Sequence, residues 1–237
     1  MLLSVVFSFR NESANLPELL TRLEKVLNPL EKWDYELIFV NDDSSDDSEA
    51  ILLERQKENP RVKIINMSRR FGLAPCVLAG FESSSGDAVI YMDSDLQDPP
   101  ALIPELLAKF EDGADVVHTV RTKRHGESPA KMLVTKLAYR IINLFSNIEL
   151  HENAGDFKLL SRRAINAVLQ LPEYDPFMRG LSAWVGFKQD CVYYERDAKL
   201  NGSTQFPLFR SLNPGKEFLR GITSFSNLPL YFALFLG

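Results

Sequence analysis

Short, almost continuously apolar runs alternate along this chain with longer segments in which apolar residues recur every three or four positions. Leu3 to Phe9, Tyr35 to Val40, Val62 to Ile65, Ala88 to Met92 and Ala114 to Thr119 read as strands. Between them, Leu16, Leu19, Leu20, Leu23 and Leu27 stand at helical spacing, with Pro17 tolerated in the first turn. Asp46 to Asn59 predicts a helix whose acidic start suits its positive end. Leu73 to Phe81 and Pro104 to Phe110 predict two more. Such alternation predicts an α/β fold with a mostly parallel sheet and helices on both faces. Ligands of these sheets bind beyond the carboxyl ends of the strands, so polar residues that follow strands are where chemistry is expected.

The second half is less regular. Lys131 to Phe145 and Arg162 to Leu169 predict helices, Asp156 to Leu160 and Gln189 to Tyr194 strands, and residues 197–206 a polar loop. From Pro207 onward aromatic and basic residues mix, with Phe209, Arg210, Lys216, Phe218 and Arg220. The apolar stretch from Leu228 to Leu236 is shorter than the about 20 residues that cross a bilayer. It reads as a helix docked on the core, as an end lying on a membrane surface, or as the beginning of a span. With no internal repeat or low-complexity linker, the simplest organisation is one body, 1–206, and a membrane-facing appendage, 207–237.

A chain of 237 residues supports a core without disulfide or zinc. Its 27 basic and 32 acidic residues leave a net charge of -5, which weighs against a nucleic-acid binder. A local basic cluster can still face an anionic ligand. Cys76 and Cys191 lack metal-ligand spacing and read as reduced, buried thiols of a cytoplasmic compartment. The opening MLLSVVFSFRNE lacks the charged start and cleavage site of a secretory signal, and reads as a first buried strand.

Three polar clusters follow predicted strands: Ser8 to Glu12, Asn41 to Ser44, and Asp93-Ser94-Asp95-Leu96-Gln97-Asp98. On an extended segment Asp93 and Asp95 point the same way, and Gln97 lies one step further along that face. Adjacent carboxylates repel unless a cation neutralises them. Mg²⁺ and Mn²⁺ favour one or two carboxylates plus substrate phosphates. The bland alternative is an acidic turn in which Asp98-Pro99 starts a helix. Asp42 and Asp43 suit a base or ribose; the alternative is a helix N-terminus capped by Ser45 or Asp46. Glu12 is equally readable as a carboxylate at the start of a helix. Arg69, Arg70, Arg121, Arg124, Arg196 and Lys199 suit phosphates, or a solvated surface. His118, His125 and His151 have no nucleophile in a recognisable motif, and there is no P-loop or dinucleotide fingerprint.

Taken together, these segments resemble the family 2 glycosyltransferases with a GT-A (Rossmann-like) fold, and among them the polyprenyl-phosphate glycosyltransferases. VVFSFRNES, VNDDSSDDS, SRRFGLAPCVLAG, MDSDLQDPP, GDFKLLSRR and MRGLSAWVGF carry the resemblance over nearly the whole chain. It implies a metal held by Asp93, Asp95 and Gln97, and nucleotide-sugar contacts from Ser8, Glu12, Asp42, Asp43 and Asp93. It also implies diphosphate contacts from Arg196 and Lys199, an acceptor-side carboxylate at Asp156, and a lipid phosphate met by Arg121, Lys131 and Thr135. Amphipathic juxtamembrane helices would follow, with Phe209, Phe218, Ile222 and Phe225 on lipid.

The chain departs from the family pattern at Ser8, Arg10, Asp43, Lys199 and Gln205, which bears on the donor it takes. The activity implied is inverting transfer, with Mg²⁺ or Mn²⁺, from UDP-glucose to undecaprenyl phosphate on the cytoplasmic face of a bacterial inner membrane. Partners are then a nucleotide sugar, a polyprenyl phosphate and a membrane, with a homo-oligomer allowed by analogy and no nucleic acid. Alternatives are a polysaccharide or protein acceptor, or a nucleotide-sugar-binding relative without turnover.

Overall fold

The computed structural model describes residues 1–123, 154–171, 173, 176–195, 223–225 and 234–235. The predicted helix 131–145, the loop 197–206 and most of the appendage lie outside the described residues. So do the site candidates Lys131, Thr135, Arg196 and Lys199.

The elements run β1 (Leu2–Phe9), α1 (Leu16–Leu27), β2 (Asp34–Asn41), α2 (Ser48–Glu58), β3 (Val62–Asn66), α3 (Leu73–Ser83), β4 (Ala88–Tyr91), α4 (Ile103–Glu111), β5 (Val116–Lys123), β6 (Ala154–Ser161), α5 (Arg162–Leu169), α6 (Met178–Trp184) and β7 (Gln189–Glu195). A 3₁₀ turn at Pro100–Leu102 leads into α4. The leucine stripe of α1 is buried as its spacing requires. Truncating one of these leucines to alanine would cost about 3 kcal/mol.

The strands form one seven-stranded sheet in the order β3-β2-β1-β4-β6-β5-β7. β1 is parallel to both β2 and β4, and β2 to β3. The central strands are apolar on both faces because both are covered. One core cluster joins Phe7, Phe39, Ile90 and Leu159 to the stripes of α1 and α4. The other joins Val6, Val40, Val89 and Leu160 to α3 and α5. β1 and β4 are neighbours, yet the chain leaves β1 for β2 on the other side. That reversal opens a crevice at the strand ends.

β6 runs antiparallel to both β4 and β5, while β5 and β7 are parallel. Its beginning, not its end, therefore reaches the edge where β4 and β5 finish. Ala154, Gly155 and Asp156 consequently sit at the same edge as the residues after β1, β2 and β4. Among the described residues, no helix is long and apolar enough to cross a membrane.

Candidate active site

At the β1 and β2 end, two loops are laced together. Asn11 has φ 57° and Asp43 φ 59°, both left-handed. Asn and Asp tolerate that region better than other side chains with a Cβ, and glycine tolerates it best. The Asn11 N–H donates to Ser44 Oγ at 3.1 Å, and the Ser45 N–H to Asn11 Oδ1 at 2.8 Å. Asp42 is buried. It accepts the Phe71 N–H at 2.6 Å and the Gly72 N–H at 3.0 Å, which ties the Arg69–Gly72 loop to β2. Asp43 beside it is exposed.

Asp46 accepts the N–H groups of Ser13 and of Ser48, the first residue of α2, although the N-cap position itself is Asp47 and carries no side-chain cap. Burial opposes its ionisation, but hydrogen bonds from Ser48 and Ser13 prevail and draw its pKa down to about 2. Glu12 accepts from Asn15 Nδ2 at 2.6 Å, and its carbonyl receives the first N–H groups of α1. Ser8 is half-buried at the end of β1. Its hydroxyl hydrogen-bonds the Cys76 thiol, which burial and the Asp42 charge nonetheless push up to about 12. The expectation of two buried thiols holds for Cys76; Cys191 is only partly buried, because β7 forms the edge of the sheet.

The Asp93–Asp98 segment departs from the extended geometry expected of it. β4 ends at Tyr91, and the chain then bends from Ser94 through Leu96. Leu96 is buried with φ 62°. A leucine there costs about 1–2 kcal/mol, a strain held by its packing on the Phe9 side of the core. Gln97 therefore does not continue a common face with Asp93 and Asp95. Its N–H instead donates to Asp95 Oδ1 at 3.1 Å. The Tyr91 hydroxyl donates to Asp93 Oδ1 at 3.1 Å. Burial, then the nearby Asp93 and Asp156 charges, push the Tyr91 pKa well up, so the phenol keeps its proton for this bond. Both carboxylates are thus oriented by their own segment.

Among the described residues, no group of three or more His, Cys, Asp or Glu side chains forms a metal site alone. Two oriented carboxylates with an amide nearby fit a hard divalent ion that completes its shell with phosphate oxygens.

Asp98 is neither a helix cap nor part of the acidic pair. It is fully buried and accepts from the Tyr194 hydroxyl at 2.5 Å. The same hydroxyl accepts from Arg121 Nε at 3.1 Å, and Arg121 Nη2 lies 3.5 Å from Asp98 Oδ1. Burial alone would lower the Arg121 pKa; Asp98 and Tyr194 reverse this and raise it. Gly155 lies against this group, since a Cβ there would stand 3.0 Å from Arg121 Nη2.

Asp156 is held by Arg179 of α6, which donates from Nε at 2.9 Å and Nη2 at 2.5 Å to its two oxygens. Lys158, two residues along β6 and buried, donates to Ser182 Oγ at 2.9 Å. Burial lowers the Lys158 pKa to about 8, opposed by Asp156 and assisted by Arg179. α6 also receives the Phe225 ring, which lies 6.4 Å from the Phe177 ring and over Gly180. Phe225 is therefore packed at least partly on protein, where the sequence placed it on lipid.

The structure thus brings Ser8, Glu12, Asp42, Asp43, Asp93, Asp95, Gln97, Arg121 and Asp156 to one sheet edge. It adds Asp98, Tyr194, Lys158 and Arg179, which sequence reasoning missed. Arg179 lies inside the MRGLSAW segment, so its position was visible, but no spacing ties it to Asp156.

The sequence profile of glycosyl transferase family 2 matches residues 4–169. An uncharacterized glycosyltransferase of Synechocystis sp. is 42% identical over 235 residues, 99% of this chain and 73% of its own length. The prophage bactoprenol glucosyl transferase homolog of Escherichia coli is 35% identical over 237 residues, covering 100% of this chain and 76% of its own. Among solved structures, the Pyrobaculum calidifontis mannosyltransferase with GDP-Man and Mn²⁺ superposes with a TM-score of 0.64 at 14% identity, over 94% of this chain and 63% of that one. Glucosyl-3-phosphoglycerate synthase of Mycobacterium tuberculosis, with Mn²⁺, UDP and phosphoglyceric acid, gives 0.62 at 19% identity, over 93% and 75%. At these identities the two structures establish the shared GT-A-like fold.

Proposed function

Since this chain belongs to glycosyl transferase family 2, we propose that it transfers glucose from UDP-glucose to a polyprenyl phosphate such as undecaprenyl phosphate at a membrane surface. The observation that carries this reading is similarity along the whole chain to relatives named bactoprenol glucosyl transferase, at 35% identity. The edge geometry supports it. An acidic loop stands after β4, with a cation at the end of β5 and a carboxylate–guanidinium pair beside the start of β6.

In this mechanism the nucleotide lies across the ends of β1 and β2. Asp43 faces it directly, Ser8 and Glu12 border it, and Asp42 shapes its wall through the Arg69–Gly72 loop. Arg196 and Lys199 meet the diphosphate. A Mg²⁺ or Mn²⁺ held by Asp93, Asp95 and Gln97 would neutralise charge on the departing diphosphate. The acceptor phosphate attacks the anomeric carbon from the opposite face and inverts it. That phosphate is already anionic near neutral pH, so Asp156 shapes the acceptor side instead of taking a proton. Arg121, with Lys131 and Thr135, offsets repulsion between the acceptor phosphate and the diphosphate.

The test is to incubate the protein with labelled nucleotide sugars and undecaprenyl phosphate in detergent, then count label that partitions into the organic phase. Glucolipid from UDP-glucose is the expected product. Label appearing only on added polysaccharide or protein would replace the lipid acceptor. Donor binding without transfer to any acceptor would contradict turnover.

A further inference from the structure

We propose that Tyr194 is a positioning residue for transfer, its hydroxyl bridging Arg121 and Asp98 and so holding the guanidinium off the carboxylate. The proposal rests on the reading of Arg121 as a cation for the acceptor phosphate.

Three strands meet in this cluster. Arg121 lies near the end of β5, two residues before Lys123, Tyr194 lies opposite it in register on β7, and Asp98 ends the acidic loop after β4. The Tyr194 hydroxyl uses both of its capacities, accepting from Arg121 Nε and donating to Asp98 Oδ1. Its pKa is pushed up to about 12 by burial and by Asp98, so it stays a donor at any physiological pH. Arg121 and Asp98 are themselves 3.5 Å apart, beyond the usual length of a charge-assisted hydrogen bond. The hydroxyl holds the guanidinium off full contact with the carboxylate. Without it, the cation would close onto Asp98 and withdraw from the strand ends.

Gly155 supplies an independent handle. A methyl at Gly155 would stand 3.0 Å from Arg121 Nη2 and 3.5 Å from its Cζ. The atom in the way is the far end of a flexible side chain, so Gly155→Ala displaces the guanidinium while the backbone stays. Tyr194→Phe removes the bridging hydroxyl but keeps the ring. The two changes act on the same guanidinium, Tyr194→Phe at Nε and Gly155→Ala nearest Nη2.

The experiment is steady-state kinetics of glucolipid formation with both variants, separating the KM for undecaprenyl phosphate from that for UDP-glucose. Thermal midpoints and nucleotide binding by calorimetry run in parallel. Each variant is expected to raise the acceptor KM about tenfold, the worth of a hydrogen bond to a charged group. Donor KM and nucleotide affinity should stay within about twofold, and the double variant should fall short of the product of the singles. Acceptor KM unchanged in both variants overturns the role of Tyr194 while leaving the lipid-transfer reading intact. Donor and acceptor KM rising together, with a lowered thermal midpoint, assign Tyr194 a purely structural role and overturn it too. A wild type that binds UDP-glucose yet makes no glucolipid overturns the acceptor reading first, and this proposal with it.

Discussion

Arg179 grips Asp156 through two hydrogen bonds, one to each carboxylate oxygen. Burial alone would raise the Asp156 pKa. The charge and hydrogen bonds of Arg179, with Lys158 and Arg121 further off, reverse this and hold it well below the usual carboxylate range. A carboxylate held that firmly in its ionised form is a poor proton acceptor. Its contribution to stability is complete above the ordinary value of about 3.9 and is lost as pH falls through the lowered folded value. The kcat profile of the wild type is therefore expected to be flat with respect to Asp156 between about pH 5 and pH 8. In Arg179→Ala, burial acts with its main opponent removed, so an acid limb should enter that window. A wild-type limb that vanishes in Asp156→Asn would contradict this assignment.

Lys158 gives a slope of the same sign in the alkaline range. Its folded pKa of about 8 lies below the unfolded value of about 10.4. Between these two the unfolded chain binds more protons, so this group makes the protein more stable as pH rises from about 8 to about 10.4. Denaturant midpoints of wild type and Lys158→Met, compared across that range, should show wild type gaining on the variant. A constant difference would mean that Lys158 does not titrate there.

The buried, left-handed Leu96 predicts a split outcome for Leu96→Gly. Relief of backbone strain returns about 1–2 kcal/mol, while loss of a fully packed side chain removes about 3 kcal/mol or more. The net is a destabilisation of about 1–2 kcal/mol by chemical denaturation. The larger effect should be on metal-dependent UDP binding, because the loop that orients Asp95 loses its anchor in the core. Unchanged binding would separate Leu96 packing from the site.

How far the sequence revealed this arrangement depended on the range of each interaction. The α1 stripe from Leu16 to Leu27 was legible because helix burial repeats locally. The strand after Ala154 was legible as a strand, but its direction was not. Direction depends on which neighbours it pairs with, and β6 inserts antiparallel between β4 and β5. Searching only the residues after each strand therefore misses Asp156, which lies near the beginning of one; the family resemblance supplied it. α6 escaped because its seven residues are too few to show a helical period and Phe177 is no capping residue. The turn at Leu96 escaped because nothing in an apolar side chain announces a left-handed backbone. Tyr194 and Asp98 are 96 residues apart, and no spacing rule joins them.

Phe225 and Gly180 offer a test of how the C-terminal part meets the body. A Cβ on Gly180 would stand 2.1 Å from Phe225 Cε2 and 2.8 Å from Phe177 Cδ1. Gly180→Ala should therefore cost about 1–3 kcal/mol by overpacking. In a Phe225→Ala background most of that cost should disappear, a non-additivity that reports direct contact. Fully additive losses in the cycle would place Phe225 elsewhere in solution.

The central claim is metal-assisted transfer to a lipid phosphate, and one assay addresses it most directly. The initial rate of labelled glucolipid formation from UDP-glucose and undecaprenyl phosphate is measured with Mn²⁺, with Mg²⁺ and with EDTA, in wild type and Asp95→Ala. The account predicts lipid-dependent product that EDTA abolishes and that Asp95→Ala lowers by at least about a hundredfold, the loss expected when charge stabilisation of the leaving group is removed. Undiminished product in EDTA and in Asp95→Ala would contradict it.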